Sequence, residues 1–360
     1  MADAAGNTNA AYTTLTETSA LVIDANSPTI SSATVTGGTK KIGDVITVTV
    51  AADAAGYTLG TSTMNGVNLA GFNDGGGGSY TMTYTVASGN TDRSGGQAPI
   101  SIILTDAAGN TNTAFTTLTE SSALVVDANA PAGTTSATVT GGTAKVGDVI
   151  TVTIVAGETG LTCSGCTMNG VALANFQASS GNSYTATYTV VEGNTDRIAA
   201  ASDFISITLT DAAGNSNAEF TTLTESSAQV IDANSPATTT SATVTGGTAK
   251  VGDVITVTIV ASETGLSCQT CTMNGVALAN FQAGAGNSYT ATYTVAEGNT
   301  DRNAAASNFI SLVLADAAGN TNSAFTTLTE SSAQVIDANS PSITSATVSG
   351  GTKKIGDVIT

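Results

Sequence analysis

The chain repeats itself. The stretch D-A-A-G-N-S-N-A-E-F-T-T-L-T-E-S-S-A-Q-V-I-D-A-N-S-P, from Asp211 to Pro236, returns with small changes at Asp3, Asp106 and Asp316, at intervals of 103, 105 and 105 residues. A fixed period of this size marks tandem domains, each long enough to bury a core of its own. The period divides the chain into a C-terminal fragment of one repeat (1–24), three complete repeats (25–128, 129–233 and 234–338) and the N-terminal fragment of a further one (339–360). Because both ends fall inside a repeat, the expectation is a piece of a longer array, with export signals and anchors outside it. Residues 1–20 lack the basic then apolar layout of a signal peptide, and no apolar run approaches the roughly 18 residues that span a bilayer.

Within a repeat the pattern is that of short strands. Val149 to Val155 places Ile150, Val152 and Ile154 on one face and Thr151 and Thr153 on the other, the period of a half-buried strand. Ser183 to Val190 and Phe204 to Leu209 alternate in the same way, Ser136 to Thr140 is a shorter alternating stretch, and Phe220 to Ile231 closes the repeat. Asn169-Gly170 is a strong hairpin signal between two further short strands. G-G-T-A-K-V-G-D reads as a turn. Abundant Thr, Val, Ala and Ser, 39 Gly and no Trp agree with a β-protein, and seven short strands per repeat predict an all-β sandwich.

Nine basic against 27 acidic residues give a net charge of −18, which repels a phosphate backbone and argues against a nucleic-acid partner. The carboxylates do not form runs; they recur at set places in each repeat. Following strand directions through the second repeat brings three acidic segments to its leading pole: the incoming linker with Asp127 and Asn129, the loop with Glu158, and the D-A-A-G-N turn with Asp211 and Asn215. The equivalents are Asp232, Asn234, Glu263, Asp316 and Asn320 in the third repeat, and Asp24, Asn26, Asp106 and Asn110 in the first, where Ala54 replaces the glutamate and Asp53 precedes it. Converging oxygen ligands without His or Cys suit a hard cation, and calcium, which takes six to eight oxygens, is the candidate structural cofactor. The alternative is that each segment is an ordinary Asx turn or linker. At the trailing pole, Asp148, Glu192 and Asp196 with Arg197 and Lys145 predict a solvated ion-pair cluster, with a second metal site as the alternative.

The four cysteines form two C-x-x-C pairs, Cys163 with Cys166 and Cys268 with Cys271. A four-thiolate zinc site would have to span two repeats, and no helix start is predicted that would activate a thiol for redox work. Leu59 and Ser62 stand in both places in the first repeat, so the cysteines come and go together. A local disulfide is expected in each pair, and with it an oxidising, extracytoplasmic setting. Catalysis finds no support, since there is no His for a triad and no phosphate-cradling loop.

The pattern V-G-D-V-I-T-V-T-I, then E-T-G, then D-A-A-G-N, then V-V-D-A-N-A-P resembles the bacterial Ig-like repeats of very large secreted surface adhesins and biofilm proteins. That resemblance implies tandem Ig-like sandwiches in an elongated array, calcium near the junctions stiffening a rod, and adhesion carried by a separate tip domain. It points to Asp127, Asn129, Glu158, Asp211 and Asn215 and their third-repeat equivalents. The C-x-x-C pairs and Ala54 depart from it. The expected function is therefore a non-catalytic extracellular rod whose partners are neighbouring repeats of the same or like chains and, through regions outside this segment, a host or matrix surface. Two alternatives remain: a self-assembling filament, and a carbohydrate-binding module, for which exposed aromatics are scarce.

Overall fold

The computed structural model describes residues 1–95, 98–198, 204–303 and 309–360. These fall into two compact units, one of residues 1–133 with 160–164 and 208–218, the other of residues 134–159, 165–207 and 219–360. No helix occurs among the described residues, and the structure is all-β.

In the first unit a five-stranded sheet runs in the order Thr119–Glu120, Ile30–Val35, Val45–Ala52, Ser79–Thr85, Ala70–Asp74. Opposite it lies a three-stranded sheet of Val67–Asn68, Thr63–Met64 and Ile100–Ser101. Alternation decides what fills the space between them. Ile46, Val48, Val50, Tyr80, Met82 and Tyr84 from the larger sheet meet Met64, Ile100, Ile102 and Leu104 from the other side, all buried. Residues 1–24 and 339–360 are exposed throughout and contribute no strand to either unit.

The second unit contains two sheets of the same kind. One runs Ala174–Ala178, Ser183–Thr189, Val149–Val155, Ser136–Val139, Leu223–Glu225; the other runs Ala279–Ala283, Ser288–Thr294, Val254–Val260, Ser241–Val244, Thr329–Glu330. Smaller sheets oppose them, including Val276–Ala277, Ser267–Met273 and Ile310–Ala315. Tyr184, Tyr188, Tyr289 and Tyr293 are fully buried, so these large rings build the cores. Paired sheets with this strand arrangement are Ig-like sandwiches.

The stretch read from sequence as one closing strand, Phe220 to Ile231, is two. Leu223–Glu225 pairs in parallel with Ser136–Val139, the chain bends at Ser226 to Ala228, and Gln229–Asp232 pairs in parallel with Gly142–Lys145. The second pairing corrects the reading of G-G-T-A-K as a turn. The closing segment changes sheets, and the opening segment changes with it so that backbone groups stay paired. Gly141 allows the crossing: its φ is +83°, and a Cβ there would collide with the Ser227 carbonyl oxygen. The Asn169-Gly170 hairpin is as predicted, with Asn169 at φ 52°.

Candidate functional site

The D-A-A-G-N turn is organised by its own aspartate. In the third repeat, Asp316 Oδ1 accepts the backbone N–H groups of Gly319 and Asn320 at 2.7 and 2.9 Å, and Oδ2 accepts Asn320 Nδ2 at 3.0 Å. Gly319, at φ +93°, supplies the left-handed position that closes the turn. The turn thus presents Asn320, only 3% exposed, as a bracket. Its Nδ2 also donates to the Asp232 carbonyl at 3.1 Å, and its Oδ1 accepts the Val146 N–H at 2.7 Å. One buried amide therefore ties together the linker, the turn at the far end of the preceding repeat, and its own turn.

The linker is gripped from the other side by residues that the sequence reading assigned elsewhere. Asp196 Oδ1 accepts the N–H of Ala233 and Asn234 Nδ2, both at 2.8 Å, and Glu192 accepts the N–H and hydroxyl of Ser235 at 3.1 and 2.6 Å. Asp301 and Glu297 hold Ala338, Asn339 and Ser340 in the same way at the end of the third repeat. Those bonds hold both carboxyls below the usual carboxylate range: for Glu297 the Ser340 side chain is the main cause, and for Asp301 the Ala338 N–H. The signal that could have found them is the array itself, because the trailing pole of one repeat is the leading pole of the next.

The predicted ion-pair cluster at the trailing pole does not form as expected. Lys145 does pair with Asp148, at 3.6 Å on a half-exposed turn. Arg197 turns inward instead: 6% exposed, it lies 2.7 Å from Glu225 and places its guanidinium 3.7 Å from the centroid of the Phe204 ring. A planar cation with a long stem can be buried against an aromatic face if a carboxylate meets it there. Arg302, Glu330 and Phe309 repeat the arrangement.

Asp232, Glu263 and Asp316 share one electrostatic environment. Burial pushes the Asp232 carboxyl up from its ordinary value, and the charges of Asp316, Asp196 and Glu192 add to the shift. Burial likewise raises Glu263, with Asp316 and Asp232 pushing in the same direction. Oxygen donors that repel one another suit a hard cation in their chemistry. In geometry they do not form a cage, for among the described residues no three His, Cys, Asp or Glu side chains are gathered closely enough to hold a metal ion. Asn234 and Asn320 are engaged as brackets, as described.

In the first unit, Asn215 Nδ2 donates to the Asp127 carbonyl at 3.2 Å and its Oδ1 accepts the Ile42 N–H at 2.9 Å, while Asp211 Oδ1 accepts the Asn215 N–H at 2.9 Å. Asp92 takes the role of Asp196, accepting the Ala128 N–H at 2.7 Å and Asn129 Nδ2 at 2.5 Å. Glu158 belongs to the second unit, where its backbone carbonyl accepts the Tyr184 hydroxyl at 3.2 Å. Asn110 Nδ2 meets the Asp24 carbonyl at 3.3 Å and Asp106 Oδ2 at 2.9 Å, and the Asn26 N–H donates to Asp24 Oδ1 at 3.0 Å. Asp53, beside Ala54, accepts the Thr29 N–H at 2.9 Å and the Tyr57 hydroxyl at 3.1 Å. Its carboxyl is lowered by those bonds, the Thr29 one foremost, the opposite direction from Glu263.

All four cysteines are disulfide-bonded. Cys268 and Cys271 bridge each other within the strand Ser267–Met273, their Cα atoms 5.9 Å apart.

No family model matches the chain, and no curated protein does. Similar solved structures include the I9–I11 tandem of titin (12% identity, 84% of this chain and 99% of that one, TM-score 0.24). Others are an ICAM-5 D1–D4 ectodomain fragment (16%, 79% and 70%, TM-score 0.29) and the sialic acid binding region of a Streptococcus sanguinis SK1 adhesin (13%, 84% and 76%, TM-score 0.22). Likeness at this level concerns architecture alone, which the strands above already establish.

Proposed function

We propose that this chain is a structural, non-catalytic repeat region of an extracellular bacterial surface or matrix protein, and that calcium stiffens its junctions into a rod. The observation that carries this reading is the leading pole of the third repeat. There Asp232 and Glu263 are held above their ordinary range by burial and by the neighbouring carboxylates. A divalent cation bound there would neutralise that repulsion and draw the loop of Glu263 toward the linker and the D-A-A-G-N turn. The chain supplies the rest: Asn320 fixes the turn to the linker carbonyl, and Asp196 and Glu192 hold the linker's other side. The paired cysteines support an oxidising, extracytoplasmic setting. Among the described residues no helix is long and apolar enough to cross a membrane.

The test is thermal unfolding in calcium and in chelator. Calcium is expected to raise the melting temperature, in line with ligand binding to the native state alone, and Glu263→Gln with Asp316→Asn is expected to abolish the difference. Identical melting in the two buffers would remove the metal from the proposal.

A further inference from the structure

The outer face of each five-stranded sheet is tiled with threonine. In the second repeat Thr224, Thr138, Thr153 and Thr185 stand abreast on four neighbouring strands. Thr329, Thr243, Thr258 and Thr290 form the same row in the third repeat, and Thr119, Thr34, Thr49 and Thr81 form it in the first. A second rung, such as Thr151 beside Thr187, follows two residues along. The only charged residues within these strands of the second and third repeats are Glu225 and Glu330, and both turn inward to an arginine. The first repeat adds Glu120, which accepts the Ala98 and Leu124 N–H groups, and Asp74 at the tip of its edge strand, where it accepts the Gly56 N–H.

Two properties make this face unusual for a solvated one. It is uncharged on a chain of net charge −18. Part of its polarity is also already satisfied inside the sheet: Thr138 donates to the Thr153 carbonyl at 3.5 Å, and Thr187 donates to the Ala174 carbonyl at 3.3 Å while accepting Asn175 Nδ2 at 2.9 Å. Thr243 and Thr292 are tied in the same way. Covering such hydroxyls strands no donor, which reduces the usual penalty for burying polar groups. Association along one sheet edge is disfavoured, because Ala174–Ala178 is bulged between Ala174 and Gln177, with Asn175 at φ 52°.

From these observations we infer that the threonine face is a homotypic docking surface, on which a second copy of this chain packs sheet against sheet. The occupant follows from charge and area. Two polyanions repel wherever their carboxylates approach, and this face lets them meet without opposing charges. One face measures about 24 Å by 24 Å at ordinary strand spacing, at most about 580 Å². A standard interface needs about 800 Å² per partner, so one face falls short of it. Association through one face is therefore weak.

Sedimentation of the intact chain in chelator, across a wide concentration range and at low and moderate NaCl, tests this independently of the calcium reading. The expected result is reversible self-association that strengthens with salt, as screening shortens from about 30 Å at 0.01 M to about 8 Å at 0.15 M. The triple variant Thr49→Lys, Thr153→Lys, Thr258→Lys lowers the net negative charge yet places cations opposite one another across the interface. It is expected to weaken association more than about tenfold, whereas Thr→Ser at the same positions, with unchanged circular dichroism, retains it. A wild-type chain that stays monomeric throughout overturns the inference, as does a lysine variant that associates like the wild type. Monomeric wild type retained on an insoluble neutral polysaccharide, with retention lost in the lysine variant, would assign the face to a glycan instead and equally overturn it.

Discussion

Asn320 shows what a single buried amide can do when each of its polar atoms has a partner. It is bonded to Asp316, to the Asp232 carbonyl and to the Val146 N–H, and truncation would leave the last two without it. Asn320→Ala should therefore cost about 1–3 kcal/mol in urea unfolding, the penalty for stranding buried polar groups. The neighbouring acids give a signed pH dependence. The folded pKa values of Asp232 and Glu263 lie above their unfolded values. The native state therefore binds more protons across that interval, and stability in chelator should rise as pH falls from neutral through the raised values. Asp301 and Glu297 have lowered values; their contribution persists above their unfolded pKa values and is lost as pH falls through the folded ones. Melting temperature against pH in chelator should accordingly pass through a maximum on the acid side of neutral. Saturating calcium should erase the rise and leave the fall, because the ion holds the same carboxylates ionised.

Among the elements, the closing strand pair is the least obvious from periodicity and the most dependent on a buried charge. Glu225 ends the segment that pairs with Ser136–Val139, and Arg197 reaches it from the loop after Ser183–Thr189. Arg197→Met should be strongly destabilising, by about 3–5 kcal/mol, since it strands Glu225 in a poorly solvated position. Replacing Arg197 and Glu225 together by apolar residues should recover much of that loss; chemical denaturation of the single and double variants distinguishes the two outcomes. Alternation made Val149–Val155 and Ser183–Thr189 legible in the sequence, because one face is buried and the other wet. Gly142–Lys145 was not legible: four residues with Gly and Thr carry no period, and their strand state depends on a partner 87 residues away.

The whole molecule carries −18 with no histidine and few cations, so its charges oppose compaction at low ionic strength. Monovalent salt alone should raise the melting temperature between 0.01 and 0.15 M, the range over which the screening length falls from about 30 to 8 Å. The gain should be smaller in calcium if the junction carboxylates are its main source. The tandem period, the all-β class and the convergence of the linker with the D-A-A-G-N turn are all readable from the residues, because strand alternation and turn chemistry are local and strand count sets which loops share a pole. Sequence alone placed Glu192 and Asp196 in a solvated cluster with Arg197; the fold sends the arginine into the core and the two carboxylates onto the linker. That outcome depends on which partner lies within hydrogen-bond reach in space. Spacing along the chain does not encode such distances; they exist only once the sheets have packed.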